Sequence, residues 1–287
     1  MACGLRATAS ESTAPRSAPT RIAAKVAGVM PSSDTITDIR RRSSTSLAMR
    51  ESKPGPGSSS TALQLASDTP GTVVVDMSTI DPLATDRLQE AALAKGMSVV
   101  DAPVGRLAEH ADRGESLFMV GASDADFARV KPLLDAMGTT VFHCGPVGTG
   151  GRTKLVNNYV AVTLTQVNAE ALALSQGFGL DITKTLAVLL GTSANNGQLR
   201  MNFPNKVLAG DTSPGFTIDL AHKDMALVLG AAHAARVPMP VAGAVFESYS
   251  QARANDYGSI DFSGMADVVC DMARIERARV PKGWKPS

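Results

Sequence analysis

Cysteine is scarce. Cys3, Cys144 and Cys270 are the three in 287 residues; they lie far apart and form no CxxC pair. Neither a disulfide scaffold nor a cysteine-rich zinc site can organise such a chain, and this usage fits a reducing compartment. Charge of one sign is also missing. The 28 Lys and Arg balance 27 Asp and Glu to a formal net charge of +1, so no global nucleic-acid or membrane signature is present. No uninterrupted apolar run reaches the roughly 18 residues of a membrane span. HExxH, HxH and GxSxG are absent, which leaves His222 without a metal-ligand pattern and gives no serine nucleophile an obvious place. No metal site is expected, and cytoplasmic location is the default. What remains is 44% hydrophobic and 19% charged residues, an ordinary globular balance.

Aromatic residues are rare and unevenly placed: all twelve lie after residue 60. Residues 1–60 hold nine Lys and Arg against four acids, and Ser, Thr, Pro and Gly dominate, as in Lys53-Pro-Gly-Pro-Gly-Ser-Ser-Ser60. Only Ile22 to Met30 and Leu47 to Met49 are even locally apolar. So little apolar area offers little to offset the entropy of ordering, and 1–60 is expected to be mostly disordered. A transit peptide or a basic tail touching nucleic acid would share this composition, but basic residues interleaved with aromatics are lacking.

After residue 60 strands and helices alternate. Thr72 to Met77, Met97 to Asp101, Leu117 to Gly121 and Thr139 to His143 read as strands. Between them Leu83 to Lys95 and Asp124 to Met137 read as helices, the first led by Pro82 and the second capped at Ser123. From Gly151 the pattern becomes helical: one long proline-free helix over 152–177, then helices near 182–190, 219–236, 241–254 and 261–277. The expected organisation is an α/β unit over 61–144, an all-helical unit over 145–277 and a tail over 278–287.

Three clusters carry chemistry. Asp101-Ala-Pro-Val-Gly-Arg106 begins at a strand end, where ligands sit in open α/β sheets, and Arg106 offers a planar donor fork to an anion. A turn arginine in solvent is the plainer alternative. Gly145-Pro-Val-Gly-Thr-Gly-Gly-Arg-Thr-Lys154 opens the long helix; its spacing is not a Walker A loop, so a tight interdomain turn competes with anion binding. Lys154 and Asn158 share one face of that helix, with Asn157 beside them, and inward-facing polar groups on an apolar helix point to a polar pocket. The third cluster is Asp219-Leu-Ala-His-Lys-Asp224, which local salt bridges would also explain.

Taken together, Val75-Asp-Met-Ser-Thr79, Asp101 through Arg106, Gly145 through Tyr159, Asn202 through Asp211 and Phe216 through Asp224 resemble the β-hydroxyacid dehydrogenase family, across about residues 62–277. Members of that family include enzymes acting on 3-hydroxyisobutyrate, tartronate semialdehyde and sulfolactaldehyde, and the last kind share the Gly105-Arg106 pair. The resemblance implies a Rossmann-type dinucleotide-binding domain followed by an all-helical domain, with NAD as cofactor. It implies Lys154 as the proton donor in reduction, and Thr79 and Lys223 beside the nicotinamide. Asn157, Asn158, Tyr159, Val160 and Ala161 would line the substrate, and Arg106 would clamp its anionic group. The implied reaction is NADH-dependent reduction of 3-sulfolactaldehyde to 2,3-dihydroxypropane-1-sulfonate. The alternatives are the 3-hydroxyisobutyrate and tartronate semialdehyde reactions, or a non-catalytic truncated paralogue. Small anionic aldehydes or hydroxy acids are the expected partners, with no nucleic acid or membrane and a homodimer or homotetramer as the family expectation.

One departure stands out. The family opens with a strand and Gly-x-Gly-x-x-Gly, and nothing before residue 61 matches it; Gly55 and Gly57 follow a proline-rich stretch. The N-terminal half of the cofactor domain therefore reads as degraded or replaced. Out-of-frame translation of a GC-rich gene is a hypothesis for the Arg-, Ser- and Pro-rich composition, and an N-terminal peptide of the native protein in this frame would overturn it.

Overall fold

The computed structural model describes residues 21–26 and 46–51 as backbone and residues 70–285 in full. One sheet holds seven strands: β1 (Arg21–Val26), β2 (Ser46–Glu51), β3 (Val73–Asp76), β4 (Ser98–Asp101), β5 (Val104–Gly105), β6 (Ser116–Gly121) and β7 (Gly138–Gly145). Their order is β2-β1-β3-β4-β6-β5, with β7 paired to β6. β2, β1, β3 and β4 are parallel. β4 and β5 form one line against antiparallel β6, with Asp101 opposite Gly121, Val104 opposite Phe118 and Gly105 opposite Leu117. β6 and its parallel neighbour β7 thus start beyond the carboxyl ends of β3 and β4 and run back towards them.

The segment expected to be disordered therefore needs correcting in part. Its two locally apolar stretches overlap β1 and β2, and β1 lies inside the sheet, pairing β2 on one edge and β3 on the other. Backbone pairing on both edges satisfies donors and acceptors that composition alone does not reveal. The Arg40–Arg42 run and the Pro-Gly-Ser stretch lie outside the described residues. With β2 and β3 on opposite sides of β1, the strand order reverses at the carboxyl ends of β1 and β3, where a doubly wound sheet opens its ligand crevice.

Both faces of the sheet are covered, as a parallel sheet requires. Val73 and Val75 pack with Val130, Leu133 and Leu134 of α3 (Asp124–Asp135), while Val74 and Val99 pack with Ala92 and Leu88 of α1 (Pro82–Leu93). α1 starts where the sequence places it: Asp81 accepts the Leu83 N–H and Pro82 occupies the first turn. Ser123 caps α3 through the Asp126 N–H. The two-residue strand β5 and α2 (Ala108–Asp112) between β5 and β6 were not anticipated from the sequence.

The second half is helical. α4 (Thr149–Gly177) has 29 residues and spans about 43 Å at 1.5 Å per residue. Around it stand α5 (Ile182–Gly191), α6 (Ile218–Ala235), α7 (Pro240–Ala254) and α8 (Met265–Ala273), with a π-helical turn over Gln198–Asn202 that no periodicity announced. Their shared core includes Leu172, Leu186, Phe203, Met225 and Tyr249, all fully buried. Among the described residues no helix is long and apolar enough to cross a membrane, and no group of three or more His, Cys, Asp or Glu could hold a metal ion.

The joint between sheet and helices is made of glycine. Gly148 has φ +90° at the cap of α4, a conformation that side chains disfavour. Gly150 faces the β4–β6 pair so closely that a Cβ there would collide with the Met119 and Asp101 carbonyls and the Gly121 nitrogen.

Candidate active site

Asp101 ends β4, directly beside Asp76 of β3, and both carboxylates are buried. Asp101 accepts the Gly148 N–H at 2.5 Å and the Gly151 N–H at 2.6 Å, so it closes two of the open donors at the start of α4. Burial pushes its carboxyl up, against the pull of those two bonds, and the neighbouring Asp76 charge pushes the same way as burial. The signal for this role was in the sequence as the first residue of the Asp101–Arg106 motif, but only the fold shows that it anchors the helix rather than meeting a ligand.

One turn further along, Lys154 is 9% exposed. Among the described residues its ammonium makes no hydrogen bond or ion pair. Burial pulls its pKa down, the Asp224 charge pushes it up, and Lys223 adds to the fall. Asn158, on the same face, donates from Nδ2 to Asp224 Oδ2 at 2.6 Å and accepts from Asn157 Nδ2 at 3.1 Å. Asp224 is 2% exposed. Lys223 Nζ lies 2.8 Å from Asp224 Oδ1, close enough to pair but off the hydrogen-bonding direction, so that oxygen keeps an unfilled lone pair. The same ammonium donates to the Thr79 carbonyl at 3.1 Å. Thr79 follows β3, so this bond ties α6 to the carboxyl edge of the sheet. Beside it the Ser78 hydroxyl is buried with no partner. Such an orphaned group at the reversal point of the strand order fits the amide or ribose end of a dinucleotide.

The structure thus brings Lys154, Asn157, Asn158, Thr79 and Lys223 together and adds Asp224, which the sequence offered only as a salt-bridge partner. The rest of the third cluster faces elsewhere. Asp219 binds Arg253, and His222 binds Ser250 and stacks on Phe246. The wall expected from Asn157 to Ala161 is not continuous: Tyr159 packs against the helical core and Val160 is 49% exposed. At 100° per residue these two turn away from the Lys154 face, whereas Ala161 returns to it.

Arg106 is exposed and has a left-handed backbone, φ +69°. Nη1 donates to the Glu115 carbonyl at 2.7 Å and Thr139 Oγ1 at 3.1 Å, and Nη2 donates to Thr140 Oγ1 at 3.1 Å. Three bonds fix the guanidinium at the rim beyond the carboxyl ends of β3 and β4. Nε–H and one Nη2–H remain, the side-on edge that takes a carboxylate or sulfonate in two bonds. Among the described residues Arg106 makes no hydrogen bond or ion pair with Lys154, Asn157, Asn158, Lys223 or Asp224.

A doubly wound sheet with a crevice at its strand reversal is the architecture of a dinucleotide-binding domain, and here a long helix carrying a buried lysine follows it. Residues 56–145 match the family described as the NAD binding domain of 6-phosphogluconate dehydrogenase, and residues 148–269 that described as NAD-binding of NADP-dependent 3-hydroxyisobutyrate dehydrogenase. The chain is 43% identical over 197 residues to 3-sulfolactaldehyde reductase of Escherichia coli, 69% of this chain and 66% of that protein. It is 34% identical over 202 residues to 3-hydroxyisobutyrate dehydrogenase of Pseudomonas aeruginosa, 67% of each chain. The structure of Mycobacterium tuberculosis 3-hydroxyisobutyrate dehydrogenase with L-serine superposes with a TM-score of 0.72 at 22% identity, over 88% of this chain and 99% of that one. The chain belongs to the 3-hydroxyisobutyrate dehydrogenase, or β-hydroxyacid dehydrogenase, family of NAD(P)-dependent oxidoreductases. It spans just under two thirds of the length of the sulfolactaldehyde reductases it matches.

Proposed function

We propose that this chain is an NADH-dependent reductase of a small anionic aldehyde, and that reduction of 3-sulfolactaldehyde to 2,3-dihydroxypropane-1-sulfonate is the reaction it fits best. The observation that carries this reading is Lys154: a buried ammonium with no hydrogen-bond or ion-pair partner among the described residues, on a face shared with Asn158 and backed by Asp224. NADH, when bound, supplies the hydride for the aldehyde carbon. Lys154 donates a proton to the carbonyl oxygen as charge builds there and accepts it back in the reverse direction. Burial lowers the hold of Lys154 on that proton, and the Asp224 charge opposes the fall. Asn158 is fixed at both ends of its amide, so it can orient the substrate without reorganising. Asn157, at the rim, adds a hydrogen bond, and Ala161 extends the same wall. Ser78, Thr79 and Lys223 hold the nicotinamide side, and the free edge of Arg106 clamps the sulfonate.

The test is calorimetric titration of the folded chain with NADH, followed by reduction of a matched pair of aldehydes ending in sulfonate or carboxylate. Micromolar binding and preference for the sulfonate support the reading, and Arg106→Ala should remove that preference. Preference for the carboxylate would move the assignment to the 3-hydroxyisobutyrate or tartronate semialdehyde reaction. No NADH binding by a folded chain would favour a non-catalytic paralogue, an outcome kept open by the missing glycine-rich loop.

A further inference from the structure

Arg113, Arg129, Arg152, Arg253, Arg277 and Arg279 are each held by a carboxylate. Arg106 is held differently. Its three acceptors, the Glu115 carbonyl, Thr139 Oγ1 and Thr140 Oγ1, are all neutral. The Glu115 carboxylate turns instead to Arg113, 3.0 Å from its Nε. Among the described residues no carboxylate pairs with Arg106. A guanidinium fixed by a carboxylate is neutralised by it; one fixed by hydroxyls and a carbonyl keeps its charge for an incoming anion.

The two threonines reach Arg106 through an irregularity in β7. Gly138 pairs with Ser116 and Thr140 with Leu117, so Thr139 is an extra residue opposite β6. Neighbouring residues of a regular strand point to opposite faces. The bulge turns both hydroxyls to one guanidinium, and bulges of this kind re-aim side chains beside functional sites. Gly138 belongs to the same device, since a Cβ there would collide with the Ser116 carbonyl and the Phe118 ring. The arginine's own backbone is equally constrained. Gly105 pairs with Leu117, Arg106 has φ +69°, and Leu107 reaches the helical half, where a Cβ on Gly215 would lie 3.9 Å from Leu107 Cδ1. Gly215 leads into α6, the helix of Lys223 and Asp224. A left-handed arginine persists only where its surroundings over-determine it.

We propose that Thr139 and Thr140 are positioning residues for the reaction: they hold the Arg106 guanidinium with its Nε and Nη2 edge open, ready for the anionic group of the substrate. The proposal rests on the reductase reading above, which gives the clamp to Arg106, and adds to it two residues of a different strand. An arginine loses rotamer entropy when a ligand fixes it, and bonds made beforehand remove that loss at the moment of binding. The threonines touch no substrate atom. They act on affinity rather than on the chemical step, because the anion lies away from the reacting carbon and is held alike in the ground and transition states. A mere tie between β5 and β7 would be indifferent to the charge of the substrate.

The experiment compares two aldehydes of one skeleton at saturating NADH: 3-sulfolactaldehyde, and glyceraldehyde, which has a hydroxyl in place of the sulfonate. Thr139→Val with Thr140→Val keeps shape and strand preference and removes both acceptors. It should raise KM for the sulfonate about 10-fold and leave kcat within about twofold. On glyceraldehyde kcat/KM should stay within about twofold of wild type. Thr139→Ser with Thr140→Ser keeps the acceptors and should keep the wild-type KM. In an Arg106→Ala background the valines should have no further effect, because the guanidinium they release is gone. Thr140→Val alone should act in the same direction by less, and serves if the double variant does not fold. An unchanged sulfonate KM, an equal loss on both aldehydes, an equal loss in the serine pair, or an added loss on top of Arg106→Ala would each overturn the inference and leave the reductase reading standing. A sulfonate KM that Arg106→Ala itself leaves unchanged would remove the clamp, and the inference with it. Reduction of neither aldehyde by wild type would overturn both.

Discussion

The first turn of α4 and the two turns after it bury charge in opposite ways. At the first turn the Asp101 carboxylate enters a wall of backbone and finds two N–H donors there. At the next turn the Lys154 ammonium is also buried and finds no hydrogen-bond or ion-pair partner among the described residues. A satisfied buried charge fixes geometry; an unsatisfied one waits for a ligand or gives up its proton. The contrast separates the part of the helix that holds the molecule together from the part to which we assign proton transfer, within a span of six residues.

The largest effect should come from deleting the unsatisfied charge. Lys154→Met is expected to lower kcat about 10²- to 10⁴-fold, the range for a lost general acid. It should also stabilise the fold by about 1 kcal/mol, because an unpaired buried charge is replaced by an apolar chain of similar length. The pH dependence of unfolding checks the sign. Burial holds the Lys154 pKa below its unfolded value, so in the window between the two the unfolded chain binds the extra proton and stability rises with pH. Lys154→Met should remove that rise. If the variant melts lower than wild type at neutral pH, Lys154 has a structural partner that the comparison denies it.

Breaking the joint should act on stability instead. A Cβ on Gly150 would press on backbone atoms of β4 and β6, which cannot rotate away. Gly150→Ala is expected to destabilise by about 3 kcal/mol. Asp101→Ala leaves the Gly148 and Gly151 N–H groups open and removes a buried charge, so a smaller loss of about 2 kcal/mol follows. Denaturant titration reads both. A loss from Asp101→Ala larger than that from Gly150→Ala would show that charge, not close approach, holds the joint.

The two turns also differ in how far the sequence discloses them. Lys154, Asn157 and Asn158 were legible because polar residues at helical spacing interrupt an apolar helix, a pattern that local periodicity exposes. β3, β4, β6 and β7 were legible as short apolar runs, and the start of α3 from the capping residue Ser123. Asp101 as an anchor was not, since its partners lie 47 and 50 residues away and are backbone atoms of glycines. Asp224 looked like a partner for its own helix and instead crosses to Asn158. β1 and β2 escaped because backbone pairing, on both edges for β1 and with β1 for β2, places them rather than side-chain pattern. The Gln198–Asn202 turn has no period to find. Arg106 was visible as a donor fork, but its three fixing bonds to Glu115, Thr139 and Thr140 depend on strands β6 and β7.

The smallest expected effect gives the finest test of the comparison, because it moves the charges around Lys154 without touching Lys154. In reduction the active form carries the protonated lysine, so the rate falls as pH rises through its pKa. Asp224 supports that proton and Lys223 opposes it. Asp224→Asn keeps an acceptor for Asn158 but drops the negative charge, so the alkaline limb should move to lower pH. Lys223→Met removes a repelling charge and frees more of Asp224, so the limb should move to higher pH, whatever it does to the Thr79 contact and to NADH affinity. The profile should be taken as kcat at saturating substrate and cofactor, where losses of affinity cancel. Opposite shifts from adjacent residues would identify Lys154 as the group being titrated. If both variants leave the limb in place, the group that sets it is not Lys154, and the unpartnered ammonium is buried for some reason other than proton transfer.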